Sequence, residues 1–309
     1  MIVLRNLSEI PKLNGPIVTL GTYDGVHLGH QTIIHQLVKK AQEKGKDSLL
    51  VTFDPHPRKA LGLGEIFLLS TLNEKIELLN QTGLDYLLVL PFTRSFSEQT
   101  ASEFVHDFLI KSLDISEIIL GYDHRFGKNR EGNVDLLKSL LGEYNKTVTE
   151  IPAQSLHEIT ISSTKIRTAL GLGEIDIANQ RLGYEYSIGG KIVLGKQLGR
   201  TLGYPTANIQ LEDLSKLIPE HGVYAVTCIL EGQRFNGMMN IGTKPTLQAG
   251  DKTTLEVHIF DFSSDIYQET VRIIFHHRIR AEQKFENLDA LKNQLKQDEV
   301  TVRNYFSLV

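Results

Sequence analysis

The chain has little of three features that mark particular protein classes: cysteine, long apolar runs and an excess of positive charge. Its 309 residues include one cysteine, which excludes an internal disulfide framework and fits a reducing compartment best. No segment approaches the roughly 20 apolar residues of a membrane span. With 33 basic and 37 acidic side chains, the formal charge of −4 offers no broad basic surface for nucleic acid. We therefore expect a cytoplasmic protein that binds neither membrane nor nucleic acid.

The composition is instead that of a folded protein with sizeable cores. Hydrophobic residues make up 41% of the chain and charged residues 23%, and the length suits one large domain or two ordinary ones. Cys228 lies in an apolar, strand-like run, which favours a small buried side chain over a nucleophile. The sequence does not fix the oligomeric state, and a monomer is the favoured expectation.

The first part of the chain, residues 1–184, alternates short apolar runs with amphipathic segments. The apolar runs predict strands at 17–20, 48–53, 85–90, 117–120 and 146–151. Helical spacing and helix caps predict helices at 32–43, 71–81, 100–112, 134–141, 163–170 and 175–182. Repeated strand–helix units predict a Rossmann-like α/β domain with a parallel sheet, which binds ligands at the carboxyl ends of its strands.

The most informative stretch follows the first of these predicted strands and reads GTYDGVHLGH. A turn flanked by glycine between a strand and a helix forms a phosphate site, because free N–H groups and the positive end of the helix dipole point at the ligand. His27 and His30 are three residues apart and would lie on one side of the first helical turn. The stretch therefore predicts a phosphate site that carries two imidazoles.

Three further polar stretches follow strand ends or open a helix: FDPHP from residue 53, GYDHRFGKNREG from 121 and ISSTKIR from 161. Prolines fix the backbone of the first stretch. The second combines an acid, several cations and an aromatic ring, which suits a charged ligand that contains a ring. Hydroxyl groups of the third cap a helix and, with Lys165 and Arg167, could hold phosphate oxygens. Each stretch alone also fits an ordinary loop or cap, whereas their joint occurrence favours a binding site.

Together these stretches resemble the nucleotidylyltransferase superfamily. The forms TYDGVHLGH, TFDPHP, GYDHRFG and SSTKIR are similar to its flavin branch, the FMN adenylyltransferases, and the similarity spans residues 15–184. The resemblance implies a direct displacement in which the FMN phosphate attacks the α-phosphorus of ATP and pyrophosphate leaves. No residue becomes covalently modified, so catalysis depends on positioning and charge stabilisation.

The resemblance also implies roles for individual residues. His27 and His30 are the implied catalytic residues, which contact the ATP phosphates and stabilise charge at the α-phosphorus. The further ATP-binding residues that it implies are Gly21, Asp24, Gly29, Ser163, Thr164 and Arg167. The FMN-binding residues that it implies are Phe53, Pro55, His56, Asp123, Phe126 and Arg130.

The second part, residues 185–309, is richer in strands and glycine turns. Strands are predicted at 187–194, 222–230, 234–241, 253–260 and 270–279, with an amphipathic helix at 288–295. Five or six short strands predict a small closed antiparallel barrel, followed by a C-terminal helix. The two parts are the predicted domains, 1–184 and 185–309.

Two places in the second part carry chemistry. The loop GKQLGRTLGYPTAN, from residue 195, has glycines that let N–H groups reach phosphates, although its spacing is not that of a Walker A loop. Thr206 and Asn208 supply neutral oxygens that suit Mg²⁺. Glu256 alternates with apolar neighbours on a strand and could take a proton from an attacking hydroxyl. Taken alone, Glu256 also fits an exposed strand residue, and the loop fits a flexible connection.

The strings GRTLGYPTAN, NIGTKPT, LEVHIFDF and RAEQKF are similar to the riboflavin kinase module over residues 186–309. The resemblance implies that Thr206 and Asn208 bind Mg²⁺–ATP and that Glu256 is the base for the ribityl 5′-hydroxyl. The implied ATP-binding residues of this module are Gly195, Gly199, Arg200, Gly203, Thr206 and Asn208. The chain is then expected to convert riboflavin to FMN and FMN to FAD, with ATP as co-substrate and Mg²⁺ as cofactor.

Two alternatives stay open on the sequence. The chain could be an adenylyltransferase for another phosphorylated precursor, such as a pantetheine or nicotinate nucleotide, although the kinase-like barrel argues against it. It could also be a flavin-binding regulator that has lost catalysis. The presence of all five residues with implied chemistry argues against that loss: His27, His30, Thr206, Asn208 and Glu256.

Overall fold

The computed structural model describes residues 1–122, 124–152, 161–195, 199, 202–244 and 252–308. The chain forms two compact units, Met1–Ser163 and Thr164–Val309. The first unit has the predicted parallel sheet and the second has the predicted antiparallel barrel with a C-terminal helix, so the predicted fold class is confirmed.

A six-stranded parallel sheet forms the centre of the first unit. Its strands are β1 Ile2–Leu4, β2 Ile17–Leu20, β3 Ser48–Phe53, β4 Tyr86–Leu90, β5 Glu117–Gly121 and β6 Thr147–Ile151. They lie in the order β1-β4-β3-β2-β5-β6, and every neighbouring pair is parallel. β1 is absent from the predicted strands, because an apolar run of only three residues is too short to show a strand pattern.

Helices cover both faces of this sheet. They are α1 Leu28–Lys44, α2 Pro57–Ala60, α3 Leu72–Asn80, α4 Arg94–Ser97, α5 Ala101–Glu103 and α6 Val134–Gly142. α5 continues as a π-helix over Phe104–Ser112. Both capping boxes present in the sequence are formed, at the starts of α3 and α5. α1 begins at Leu28, earlier than the predicted residue 32, because His27 caps it.

The strand order predicts a ligand crevice beside the stretch that carries His27 and His30. From β2 the chain adds β3 and β4 on one side, whereas β5 and β6 lie on the other. Ligands of doubly wound sheets bind where the order reverses, outside the carboxyl ends of the strands. The segments that follow β2 and β5 therefore flank the expected site. Both strands are buried along their whole length, which anchors those segments in the core.

The second unit contains a closed barrel of six antiparallel strands. They are β7 Ser187–Val193, β8 Ala207–Leu211, β9 Gly222–Leu230, β10 Gln233–Lys244, β11 Lys252–Ile259 and β12 Thr270–Arg280. Their order around the barrel is β10-β11-β8-β7-β12-β9. Cys228 on β9 is fully buried, and burial raises the pKa of its thiol to about 12, in agreement with a packing role.

Two elements of this unit differ from the sequence-based prediction. β8 occupies the end of the predicted glycine loop and pairs with β7 and β11. The C-terminal helix, α9, spans Leu288–Leu308 and does not end at residue 295. Tertiary contacts extend it, because Val302 is fully buried and the Arg303 guanidinium lies 4.4 Å above the Phe260 ring.

Two short helices, α7 Ser163–Gly171 and α8 Ile175–Leu182, precede the barrel. The Asn179 side chain on α8 donates to the carbonyl of Phe275 on β12 at 2.9 Å, and Asp176 pairs with His277 at the same distance. These contacts explain why α8 belongs to the second compact unit, which begins at Thr164. The functional division at residue 184 stays a prediction.

Candidate active sites

His27 and His30 meet at the start of α1. His27 Nδ1 accepts the backbone N–H of His30 at 3.3 Å, and the two rings stack with centroids 3.6 Å apart and planes 15° apart. A Cβ atom at Gly29 would lie 3.3 Å from two atoms of the His27 ring, so glycine leaves the stack undisturbed. The expectation that both imidazoles share one side of the first turn is confirmed.

The environment of His30 favours a bound ligand. Its Nδ1 atom is buried and has no hydrogen-bond partner among the residues that the structure describes. Burial, the neighbouring His27 and the ammonium of Lys75 hold the pKa of His30 well below its ordinary value, so the ring is neutral near pH 7. A buried polar atom without a partner costs about 1–3 kcal/mol, which a ligand that pairs with it would offset.

The Asp24 side chain stabilises the turn between β2 and α1. Its carboxylate is 2% exposed and accepts the backbone N–H groups of Leu69 and Ser70 at 3.1 and 3.0 Å. The backbone carbonyl of Asp24 accepts the hydroxyl of Ser163 at 3.1 Å, which brings that predicted residue to the same turn. Direct phosphate contact by Asp24, Gly21 and Ser163 stays a prediction.

Lys75 on α3 belongs to the same group of contacts, although no sequence pattern indicated it. Its side chain is 7% exposed, and Nζ donates to the Thr22 carbonyl at 2.7 Å and to Thr52 Oγ1 at 3.3 Å. These acceptors lie at the carboxyl ends of β2 and β3. A buried lysine is rare without such partners, so its position beside the histidine turn is informative.

Phe53 and Phe126, two of the predicted FMN-binding residues, lie in the core. They are 7% and 6% exposed, and their ring centroids lie 5.0 Å from Phe92 and 5.4 Å from Phe104, respectively. Their packing indicates that they support the loops at the strand ends. Their contact with FMN stays a prediction.

The other predicted residues of the adenylyltransferase site lie on separate segments of the chain. His56 caps α2 by accepting the N–H of Arg58 at 3.2 Å, and Pro55 follows a cis peptide bond. Arg130 is exposed, and Asp123 lies outside the described residues. Thr164 and Arg167 lie on α7, in the second compact unit. The substrate contacts of these residues stay predictions.

Thr206, Asn208 and Glu256 lie together in the barrel. The Thr206 hydroxyl donates to Glu256 Oε2 at 3.4 Å, and Asn208 pairs directly with Glu256 across β8 and β11. On the other side of β11, Asn240 of β10 pairs with Glu256 in the same way. Directly paired residues share a face of a sheet, so Asn240 joins this cluster, although it was not among the predicted site residues.

The start of the glycine loop passes very close to this cluster. A Cβ atom at Gly195 would lie 2.1 Å from Asn208 Nδ2, so a larger residue there would displace the Asn208 side chain. Gly199 lines a cavity next to the cluster, and Gly203 has a positive φ of 86°. Residues 196–198, 200 and 201 lie outside the described residues, and the predicted role of Arg200 lies there with them.

This cavity has a volume of about 270 Å³ and adjoins Glu256. Its apolar lining comes from Leu202, Tyr204, Val223, Met238, Met239, Phe285, Leu291 and Leu295. Its polar lining comes from Thr206, Asn240, Glu256, Arg280, Glu282, Gln283 and Asp298. An apolar pocket with a few convergent polar groups is the usual form of a small-molecule site.

An ion pair fixes one wall of this cavity. Arg280 at the end of β12 contacts Asp298 on α9, with Nε–Oδ1 and Nη2–Oδ2 distances of 2.9 and 2.8 Å. Asp298 is 2% exposed and also accepts the Gln294 amide at 2.9 Å. The bidentate pair therefore joins the C-terminal helix to the barrel beside the cavity.

We expect Asp298→Asn to destabilise the second unit, because Arg280 loses its charged partner while it is still largely buried. The expected loss is about 1.5–3 kcal/mol, the range for hydrogen bonds to charged groups. Thermal unfolding measures it, with Asp289→Asn on the exposed side of the same helix as the control. Equal unfolding temperatures for the two variants would contradict the role given to the pair.

Both units match family models, in the predicted order. A model described as FAD synthetase matches residues 9–165, and one described as riboflavin kinase matches residues 182–306. The parallel-sheet unit with its paired histidines and the barrel with its carboxylate-lined cavity thus define a two-module flavin transferase.

Curated relatives named bifunctional riboflavin kinase/FMN adenylyltransferase extend the match to the whole chain. The Escherichia coli (strain K12) protein is 36% identical over 99% of this chain and 97% of its own length. The Haemophilus influenzae protein is 38% identical over 98% of both chains. The chain belongs to the bifunctional riboflavin kinase/FMN adenylyltransferase family, with the adenylyltransferase module first and the kinase module second.

A solved structure shares the fold of the whole chain. It is described as a macrolide-efflux protein from Streptococcus pneumoniae, with 33% identity, a TM-score of 0.87 and 98% coverage of both chains. In the part of this chain that the structure describes, no helix is long and apolar enough to cross a membrane.

Proposed function

We propose that the chain makes FAD from riboflavin in two ATP-dependent steps, one in each module. The barrel transfers the γ-phosphoryl group of ATP to riboflavin, and the parallel-sheet module transfers AMP from a second ATP to FMN. The observation that carries this proposal is the presence, in one chain, of two separate sites suited to these steps. They are the Glu256 cluster beside its cavity and the stacked histidine pair at a helix start.

In the first step Glu256 acts as general base. Its carboxylate takes the proton of the ribityl 5′-hydroxyl while that oxygen attacks the γ-phosphorus, and ADP leaves. The neighbouring Thr206 hydroxyl and the Asn208 amide supply oxygen donors of the kind that Mg²⁺ prefers. Bound there, Mg²⁺ would offset the charge of the ATP phosphates. Asn240, on the other side of Glu256, is placed to orient the carboxylate or the hydroxyl.

In the second step the histidine pair holds negative charge. A phosphate oxygen of FMN attacks the α-phosphorus of ATP, the bond to the bridging oxygen breaks, and pyrophosphate leaves. His27 Nδ1 accepts a backbone N–H, so in the neutral ring the proton is on Nε2, which is then a donor. The N-terminus of α1, a helix of 17 residues, adds the positive end of its dipole. These donors stabilise the added charge without forming a covalent bond.

A product time course with riboflavin, ATP and Mg²⁺ tests both steps. FMN should appear first, followed by FAD and an equal amount of pyrophosphate, and EDTA should stop the reaction. Flavin binding without turnover would overturn the proposal and favour the regulator. AMP transfer to phosphopantetheine or nicotinate mononucleotide, but not to FMN, would favour the other adenylyltransferase. A cytoplasmic location, a monomeric state and the absence of nucleic-acid or membrane partners stay predictions.

A further inference from the structure

We propose that Lys75 is a positioning residue for adenylyl transfer, which holds the histidine turn at the carboxyl ends of β2 and β3. This inference rests on the proposed function of that module. It starts from a buried ammonium with two described acceptors: the Thr22 carbonyl, in the turn after β2, at 2.7 Å and Thr52 Oγ1, on β3, at 3.3 Å. Thr22 immediately follows Gly21, so Lys75 holds the first part of the turn directly.

The turn and α3 are joined at a second point. Asp24 accepts the N–H groups of Leu69 and Ser70, just before α3, and the N–H of Gly25 donates to the Ser70 hydroxyl at 2.8 Å. The side chain of Lys75, on α3, extends to the Thr22 carbonyl. The segment that contains Leu69, Ser70 and α3 therefore holds the turn at two points, Thr22 and residues 24–25. These contacts fix the position at which α1 begins.

Lys75 also sets the charge of the site. Burial lowers the pKa of Lys75, and the carboxylates of Asp24 and Asp54 oppose this effect and favour its ammonium form. The groups that act on His30 are His27 and Lys75, both of which lower its pKa. Tyr23, whose ring centroid lies 4.9 Å from that of His30, stays uncharged because burial raises its pKa. Lys75 thus places an ammonium group, held by the Thr22 carbonyl and the Thr52 hydroxyl, beside a neutral imidazole, and positive charge attracts a polyphosphate.

The test replaces Lys75 with methionine, which keeps the length of the side chain and removes its charge. FAD formation from FMN and ATP should fall about tenfold to a hundredfold, the cost of a misplaced catalytic group. Riboflavin phosphorylation in the same chain should not change. The pKa of His30, followed by NMR of its imidazole nitrogens, should rise, because the nearby cation that opposes protonation is gone. Lys39→Met, exposed on α1, is the control and should change neither quantity.

A second variant keeps the test decisive if Lys75→Met does not fold. Thr52→Val removes the hydroxyl that accepts from Lys75 and that itself donates to the Thr22 carbonyl at 3.1 Å, and it keeps the ammonium. Adenylyl transfer should therefore fall while the pKa of His30 stays low. Wild-type adenylyl transfer and an unchanged His30 pKa in Lys75→Met would overturn the inference, as would full transfer activity in Thr52→Val. If the wild-type chain makes no FAD from FMN, the proposed function fails first, and the two failures are therefore distinguishable.

Discussion

Glu256→Gln should lower FMN formation about a hundredfold to ten-thousandfold, the usual contribution of a general base. Glutamine keeps the size of the side chain and an oxygen that can still accept the Thr206 hydroxyl, so the fold and the cavity should persist. It cannot take the proton of the ribityl hydroxyl. The rate of FMN release from riboflavin and ATP measures the loss, and conversion of supplied FMN to FAD should be unchanged.

Glu212→Gln, at an exposed position immediately after β8, is the matched control for Glu256→Gln and should leave both steps intact. If Glu256→Gln kept more than about a tenth of the kinase rate, a general-base role worth a hundredfold or more would be excluded. Loss of both steps in that variant would instead contradict the separation of the two sites.

His30→Ala should have the opposite effect: FAD formation from FMN should fall about a hundredfold to a thousandfold, as expected when a group that stabilises transition-state charge is removed. Riboflavin phosphorylation should continue at the wild-type rate. Nδ1 of His30 has no partner among the described residues, so removing that atom breaks no hydrogen bond. Alanine also removes the ring that stacks on His27, so thermal unfolding should be measured to separate a loss of stability from the loss of activity.

His35→Ala lies on the exposed side of the same helix and controls for a general effect on α1. It should keep full adenylyl transfer. A His30→Ala chain that still converts FMN to FAD at the wild-type rate would rule out the charge-stabilising role given to the histidine pair.

The sequence predicted the parts of both modules that depend on local signals. The capping residues Thr71 and Thr100 form the expected boxes, because these contacts lie within one helical turn. His27 and His30 come together at the start of α1 because His27 is the capping residue, and its side chain accepts the backbone N–H of His30. The order of the two modules was also predicted correctly, since each carries its own motifs.

The sequence did not predict the features that depend on contacts between distant segments. Lys75 is buried because Thr22 and Thr52 offer acceptors, and nothing in its own helix signals them. Asn240 joins Glu256 only through the register of β10 and β11. β8 has only five residues and is stabilised by pairing on both sides, so its local pattern resembled a loop. In each case a partner far along the chain decides the structure.

In the proposed mechanism, one chain has two independent sites and free FMN passes from one to the other. Two variants that each lack one site should then complement each other. The most direct test mixes Glu256→Gln and His30→Ala proteins with riboflavin, ATP and Mg²⁺. Glu256→Gln alone should form almost no FMN, and His30→Ala alone should stop at FMN. The mixture should accumulate FAD, because FMN made by one chain reaches the intact adenylyltransferase site of the other. A mixture that produces no more FAD than either variant alone would contradict the two-site mechanism.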